Sequence, residues 1–234
     1  MSKTKKAVII GSVLVGIGVI IGFIGIAIGG FKFPNGAVDL TTMKALHAEK
    51  KTVQIADAFD KIEIAGASSM DIEICKSKTG KNYVEYYDTD DWTSRVDVKD
   101  RVLKFTTDDK GKHKAIVSLG FGKDTAARLY LADAEYKEIS VTTLSGYVTI
   151  QDVNAGTVNV SASSGDIDLE SCDAEKFDIT TSSGDVDMEI TAGRTYRFET
   201  KTNSGDVDVP DGDADSDYLC KIVTSSGDVD VKQK

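Results

Sequence analysis

"SSGDVDV" occupies Ser225–Val231, and near-copies begin at Ser163 ("SSGDIDL"), Ser182 ("SSGDVDM") and Asn203 ("NSGDVDV"). A weaker copy, "LSGYVTI", begins at Leu144. The five glycines are Gly146, Gly165, Gly184, Gly205 and Gly227, at intervals of 19, 19, 21 and 22 residues. Self-similarity at a period near twenty marks a solenoid, in which each coil buries its apolar face only by stacking on its neighbours.

The columns of the repeat give the local structure. Two residues after each glycine stand Val148, Ile167, Val186, Val207 and Val229, and four after stand Ile150, Leu169, Met188, Val209 and Val231. Seven before stand Ile139, Val158, Phe177, Phe198 and Cys220, and five before stand Val141, Val160, Ile179, Thr200 and Ile222. Of these twenty residues only Thr200 is not apolar, and mostly polar residues alternate with them. A period of two is strand periodicity. Each coil therefore reads as strand, corner, strand and return. Ser145, Ser164, Ser183, Ser204 and Ser226 precede the glycines. Gly supplies backbone freedom at a corner, and Ser and Asp bond locally to turn amides.

The fold class expected is an all-β ectodomain: a β-solenoid over residues 139–234 with about 20 residues per coil. Two long sides and a short third side are expected, with Val153, Cys172 and Ile190 on the third. Cys172 and Cys220 fall at inward positions two to three coils apart, which predicts buried free thiols rather than a disulfide. With Cys75 they make an odd number and show no metal-ligand spacing. Since the last phrase leaves only "KQK", Lys232 and Lys234 are expected to guard the open edge of a terminal coil.

Upstream, residues 52–138 carry short alternating runs such as "KIEIAG", "MDIEIC", "NYVEYY", "RVLKFT" and "ARLYLA". They read as an irregular or antiparallel β region capping the start of the solenoid, with a separate β-sandwich as the alternative. "SSMDIEI" at Ser68 looks like a degenerate copy with Met70 in the glycine place. Tyr83, Tyr86, Tyr87 and Trp92 are an aromatic group, read as core or edge of this cap. Residues 32–51 read as a juxtamembrane linker, with a short helix around Val38–His47.

The N-terminus adds location. Ala7–Phe31 holds no charged residue. As a helix it would be about 37 Å long, enough to span a hydrocarbon core of about 30 Å with tilt. Lys3, Lys5 and Lys6 precede it and predict a cytoplasmic tail at residues 1–6 with everything after residue 31 outside. A cleaved signal peptide is the rival, though its apolar core is usually shorter, about 7–15 residues. Gly18, Gly22, Gly25 and Gly29 would allow close helix pairing in a membrane.

The net charge of -10 argues against nucleic acid as a partner. Residues 32–144 carry 18 Lys/Arg and 19 Asp/Glu, whereas residues 145–234 carry 7 and 19, so the acidity belongs to the repeats. One column, Asp166, Asp185, Asp206 and Asp228, is placed to accept hydrogen bonds from corner amides. The next, Asp168, Asp187, Asp208 and Asp230, has no such role. It reads as a solvated acidic face, with Ca²⁺ binding as the competing reading. "DGDADSD" at Asp211–Asp217 starts like a calcium loop, but Ile222 stands where a bidentate Glu would close it. It reads as a disordered, solvated insertion.

Catalytic readings are weak. His47 and His113 are the only histidines. Paired aspartates two apart on a strand sit about 6.8 Å apart, within the range of an inverting glycosidase. Four equivalent exposed pairs are not one tuned acid and one base. No nucleophile motif is present, and "TGKN" and "GFGKDT" lack phosphate-loop spacing. No enzyme activity and no cofactor are expected, with a β-helix polysaccharide lyase as the least unfavourable enzymatic alternative.

The order of apolar span, "FDKIEIAGASSMDIEI", "RVLKFT", "ARLYLADAEYKEISVTTLSGYVTIQDV" and "SSGDVDV" coils resembles the bacterial putative-adhesin family, over roughly residues 55–234. The chain departs from that family at Leu131-Ala132-Asp133, where members often carry Pro. The resemblance implies a β-solenoid ectodomain, an envelope location and no shared catalytic residues. Two functions follow as expectations. The first is a surface interaction module for an envelope protein or glycan; the second is an accessory or sensory protein of a cell-envelope stress system.

Overall fold

The computed structural model describes residues 38–39, 44–45, 48–66, 70–89, 92–109, 116–117, 126–132, 135–191 and 193–234. The tail at 1–6, the apolar run at 7–31, His47 and His113 lie outside them. Among the described residues no helix is long and apolar enough to cross a membrane.

Every described element is a strand. In chain order they are β1 (Val38–Asp39), β2 (Lys44–Ala45), β3 (Ala48–Gln54), β4 (Lys61–Gly66), β5 (Ile72–Lys76), β6 (Tyr83–Thr89) and β7 (Trp92–Lys99). There follow β8 (Val102–Asp109), β9 (Ile116–Val117), β10 (Ala127–Leu131), β11 (Tyr136–Ser145), β12 (Val148–Gln151) and β13 (Asn154–Ser164). The last are β14 (Ile167–Ser183), β15 (Val186–Ile190), β16 (Arg197–Lys201), β17 (Val207–Asp208), β18 (Leu219–Val223) and β19 (Val229–Gln233). Where a helix was expected around Val38–His47, the described residues are the strands β1 and β2. β1 pairs antiparallel with β2 and with β9, in the register Val38↔Ala45 and Val38↔Val117.

The repeats form a two-sided solenoid of parallel strands. One face runs β10-β5-β12-β14-β15-β19-β17, and the other runs β8-β4-β11-β13-β14-β18-β16. β14 belongs to both, bending where its register shifts between Leu169 and Cys172. The third side shrinks to a bend, with Asp152 (φ 54°) and Ser171 (φ 53°) in the left-handed region at equivalent places. Val153, Cys172 and Ile190 are buried there, and the Cys172 thiol donates to the Ile150 carbonyl at 3.3 Å.

The predicted columns are the core. Ile139, Val158, Phe177 and Cys220, with Val141, Val160, Ile179 and Ile222, line one inner face. Val148, Ile167, Val186 and Val229, with Ile150, Leu169, Met188 and Val231, line the other. Full burial of each aliphatic side chain stabilises by about 1.5–3 kcal/mol, so the core is a sum of like increments along the stack. Met70 does stand in a corner place, since Ile72 pairs with Val148.

The upstream region is not a separate sandwich. β4/β5 and β8/β10 are coils of the same stack, and β6, β3 and β7 extend its faces antiparallel. The aromatic group divides. Tyr86 is buried, edge-on to Phe105 at 5.5 Å, whereas Tyr83 stacks on Tyr130 from outside at 4.4 Å.

Layer order departs from chain order at both ends. At the start, β4/β5 is the second layer, because β8/β10 lies outside it. At the finish, β18/β19 inserts between β14/β15 and β16/β17. The neighbour of Val186 is therefore Val229 and not Val207. Lys232 and Lys234 do not guard a terminal edge; β16 and β17 are the edge. The inward Thr200 belongs to this outermost coil, where an unburied polar group costs least.

"DGDADSD" is also not a disordered insertion. Its aspartates are exposed, but its backbone is bonded over the end of the core. The Asp213 amide donates to Tyr196 O at 2.9 Å, and the Ser216 hydroxyl donates to Thr195 O at 2.5 Å. A Cβ on Gly212 would meet Tyr196 O at 2.7 Å and the Phe198 ring at 2.9 Å, so the loop seats there only with glycine.

The layer order is tested by a pair of substitutions. Val229, 1% exposed, should tolerate Asp poorly, because the charge would lie unpaired in the core, at a cost of roughly 3–5 kcal/mol. Val207, 41% exposed, should accept Asp with little loss. Chemical denaturation of the two variants measures the difference; equal losses would restore sequential stacking. Gly212→Val should also destabilise, because its side chain would meet Tyr196 O and the Phe198 ring.

Candidate functional site

The two outer faces differ in charge. On the β4/β11/β13 face, opposite charges interleave. Lys104 meets Glu63 at 2.7 Å, Lys61 meets Glu138 at 2.9 Å and Lys221 meets Asp178 at 3.6 Å. On the β12/β14/β15 face, acidic residues follow one another from layer to layer. The register places Thr149, Asp168, Asp187, Asp230 and Asp208 in one row. All four aspartates singled out from the sequence therefore share a column, with Asp230 between Asp187 and Asp208. Asp168, Asp187, Glu170, Glu189 and Asp230 line a shallow cleft of about 220 Å³ with Lys232.

Two kinds of carboxylate stand side by side. The corner column is structural. Asp71 accepts from the Tyr147 amide at 2.9 Å, Asp166 from Asp185 at 2.9 Å, Asp185 from Asp228 at 2.8 Å, and Asp228 from Asp206 at 2.8 Å. Each carboxylate thus caps an amide in the next layer.

The outer column has no such amides. Partial burial, then Glu170 and Asp187, push the Asp168 carboxyl up from its ordinary value. Partial burial, then Asp230, push Asp187 up. Relief comes from lysines at the margin: Lys232 sits 2.8 Å from Asp230, and Lys234 sits 2.5 Å from Glu189. The Lys234 contact holds Glu189 below its ordinary value. Among the described residues no group of three or more His, Cys, Asp or Glu side chains is arranged to hold a metal ion.

Burial pushes the thiols of Cys172 and Cys220 up to about 12, so neither is a nucleophile at neutral pH. All three cysteines are free, and Cys75 is half-buried. A second hollow, of about 300 Å³, opens between Lys76, Leu131, Glu135, Tyr136, Asp152 and Asn154. Sequence reasoning did not find it. It combines residues from three separate returns, and no periodic signal links them.

The raised carboxyls fix a sign for pH. The folded state holds the Asp168 and Asp187 protons more tightly than the unfolded state does. Stability therefore falls as pH rises from 3.8 through their raised folded values. Asp168→Asn with Asp187→Asn should raise the melting temperature of the full chain at pH 7 by a few degrees, at about 2–4 °C per kcal/mol. The gain should shrink in high salt and vanish below pH 3.8. A variant that melts lower at pH 7 would contradict a net cost of ionising these two carboxyls in the folded state.

Comparison with known proteins agrees with this architecture. The family model described as Toastrack DUF4097 matches residues 59–234. No curated protein matches the chain. A crystal structure of a putative cell adhesion protein from Clostridium sporogenes is similar, with a TM-score of 0.56 at 18% identity, covering 81% of this chain and 100% of that one. A putative adhesin from Bacteroides fragilis gives 0.37 at 17% identity, covering 80% and 97%. One from Parabacteroides merdae gives 0.29 at 16% identity, covering 80% and 92%. The first of these shares the fold.

Proposed function

We propose, from the premise that this chain belongs to the Toastrack DUF4097 family, that it is a non-enzymatic surface module binding an envelope macromolecule along its acidic face. The observation that carries this reading is the contrast between the two outer faces. One is charge-balanced by cross-strand pairs. The other keeps Asp168, Asp187, Asp230 and Asp208 in one row despite their repulsion. A row of like charges that costs stability is accounted for by a use in binding rather than in folding.

Anchoring in the membrane is part of the proposal. The uncharged run at 7–31, behind Lys3, Lys5 and Lys6, supports a single-pass helix with the solenoid outside. The cell membrane is then the location, and a protein or glycan of the envelope is the partner. Protease added to intact spheroplasts should remove the solenoid; a protected full-length chain would overturn this topology.

The binding face has its own test. The full chain in neutral-lipid nanodiscs should capture an envelope component in quantitative pull-downs. Capture should fall at least about tenfold, or about 1.4 kcal/mol, when Asp168, Asp187 and Asp230 become Asn. It should persist when Glu63 and Lys104 become Gln on the opposite face. A component captured equally by both variants would place binding elsewhere.

A further inference from the structure

We propose that the open edge formed by β16 and β17 is a docking site for an extended, basic segment of a partner protein, which adds as one more rung of the solenoid. The inference rests on the interaction-module reading and gives it a second contact, which adjoins the acidic face at Asp208.

Three observations meet at this edge. First, its backbone is unfilled beyond Tyr196 O, which the Asp213 amide takes. Among the described residues β16 pairs only with β18, and β17 only with β19. Such a row of backbone groups is a template for strand addition.

Second, the carboxylate ladder ends one step short. In the layers below, Asp166, Asp185 and Asp228 each accept the amide of the equivalent residue above. Asp206 donates its own amide to Asp228, yet its exposed carboxylate accepts no amide among the described residues. It presents to the next rung the same acceptor that the other three use. The inward position on β17 is also unfinished, whereas on the β16 side Gly212 covers Phe198. Val207 is 41% exposed, whereas Val229 one layer below is 1% exposed.

Third, the charge around the edge selects the occupant. Asp206, Asp208, Asp211, Asp213, Asp215 and Asp217 are all exposed there. Arg197 is engaged by Glu199 at 3.2 Å. A lysine- or arginine-rich strand is complementary to this rim, and the same end of a second copy is repelled by it. The far end of the stack is no better partner, since Lys50 and Lys51 of its edge strand β3 already pair with Glu85 and Asp88.

The corner specifies one further feature. In the layers below, a Cβ at the glycine position would lie 2.1–2.4 Å from the carbonyl oxygen of the neighbouring corner. A segment that follows β16 around the corner therefore carries glycine over Gly205, with valine-like residues inward and lysines outward.

The test uses the full chain in a neutral detergent. The probe is a fluorescent peptide with alternating valine and lysine on both sides of a Ser-Gly corner. Three probes are compared by anisotropy: the parent, one with its glycine replaced by valine, and one N-methylated on the amides of alternate residues. Strand addition predicts saturable binding of the parent. It predicts at least about tenfold weaker binding of the other two, which lose backbone bonds or clash at the corner. Asp206→Ala should weaken the parent probe while leaving the melting temperature unchanged, since no amide depends on that carboxylate. Equal binding of all three probes would reduce the site to nonspecific charge attraction and overturn the proposal. So would no binding, or displacement of the probe by a second copy of the chain in sedimentation. Pull-downs that still depend on Asp168, Asp187 and Asp230 would then leave the acidic-face reading intact.

Discussion

The structure depends on the contact of one corner with the next. At Gly165 (φ 125°) and Gly184 (φ 141°), an added Cβ would lie 2.2 Å from the carbonyl oxygen of the corner below. Only glycine allows both the positive φ and the approach. The amides of Gly146, Gly165, Gly184 and Gly227 donate to serine carbonyls of the adjacent layer at 2.9–3.2 Å. With the corners in register the flanking strands are in register too, and the two apolar columns on each side fall into line. The core and the outward rows are consequences of that alignment.

A stack of equivalent layers has a problem at each end, because its last layer is a sheet edge over an open core. This chain solves the two ends differently. At the start, β6, β3 and β7 run antiparallel along the faces and widen them. At the finish, the chain passes over one layer, turns through the acidic loop, and returns to fill the gap. The loop covers Tyr196 and Phe198, and Gln233 bonds to Arg194 O to hold the return. The final strands are thereby bonded on both sides, and the outermost coil is left as the one exposed to partners.

Charge follows the same architecture. A carboxylate at a corner faces the amide of the next layer and is stabilised by it. A carboxylate two residues on meets no amide of the next layer and faces mostly other carboxylates, with Lys232 at the margin. Parallel in-register stacking turns one sequence choice, Asp-Val-Asp, into two rows with opposite energetics. The first row helps to build the solenoid. The second opposes it, and supplies a surface on which any counter-charged ligand gains what the fold loses.

The sequence by itself determined what depends on local period. Alternation assigned the strands and their inward residues; the serine–glycine phrase located the corners from Gly146 to Gly227; and the column of Cys220 predicted a buried thiol. These properties repeat within each coil and need no knowledge of its neighbours. Only the tertiary structure decided which layer lies where. Any coil matches any other by its columns, so the pattern alone is degenerate as to order. The order is settled by which coil can be buried on both sides. The coil of Cys220, Ile222, Val229 and Val231 is fully apolar, while that of Thr200 and Val207 is not. The glycine intervals of 21 and 22 residues lengthen the passage by two and three residues over the earlier 19. At about 3.3 Å per residue this is enough to step over a layer of about 4.8 Å. That signal was present in the spacing, but its meaning is a comparison of burial between coils, which exists only once they are stacked.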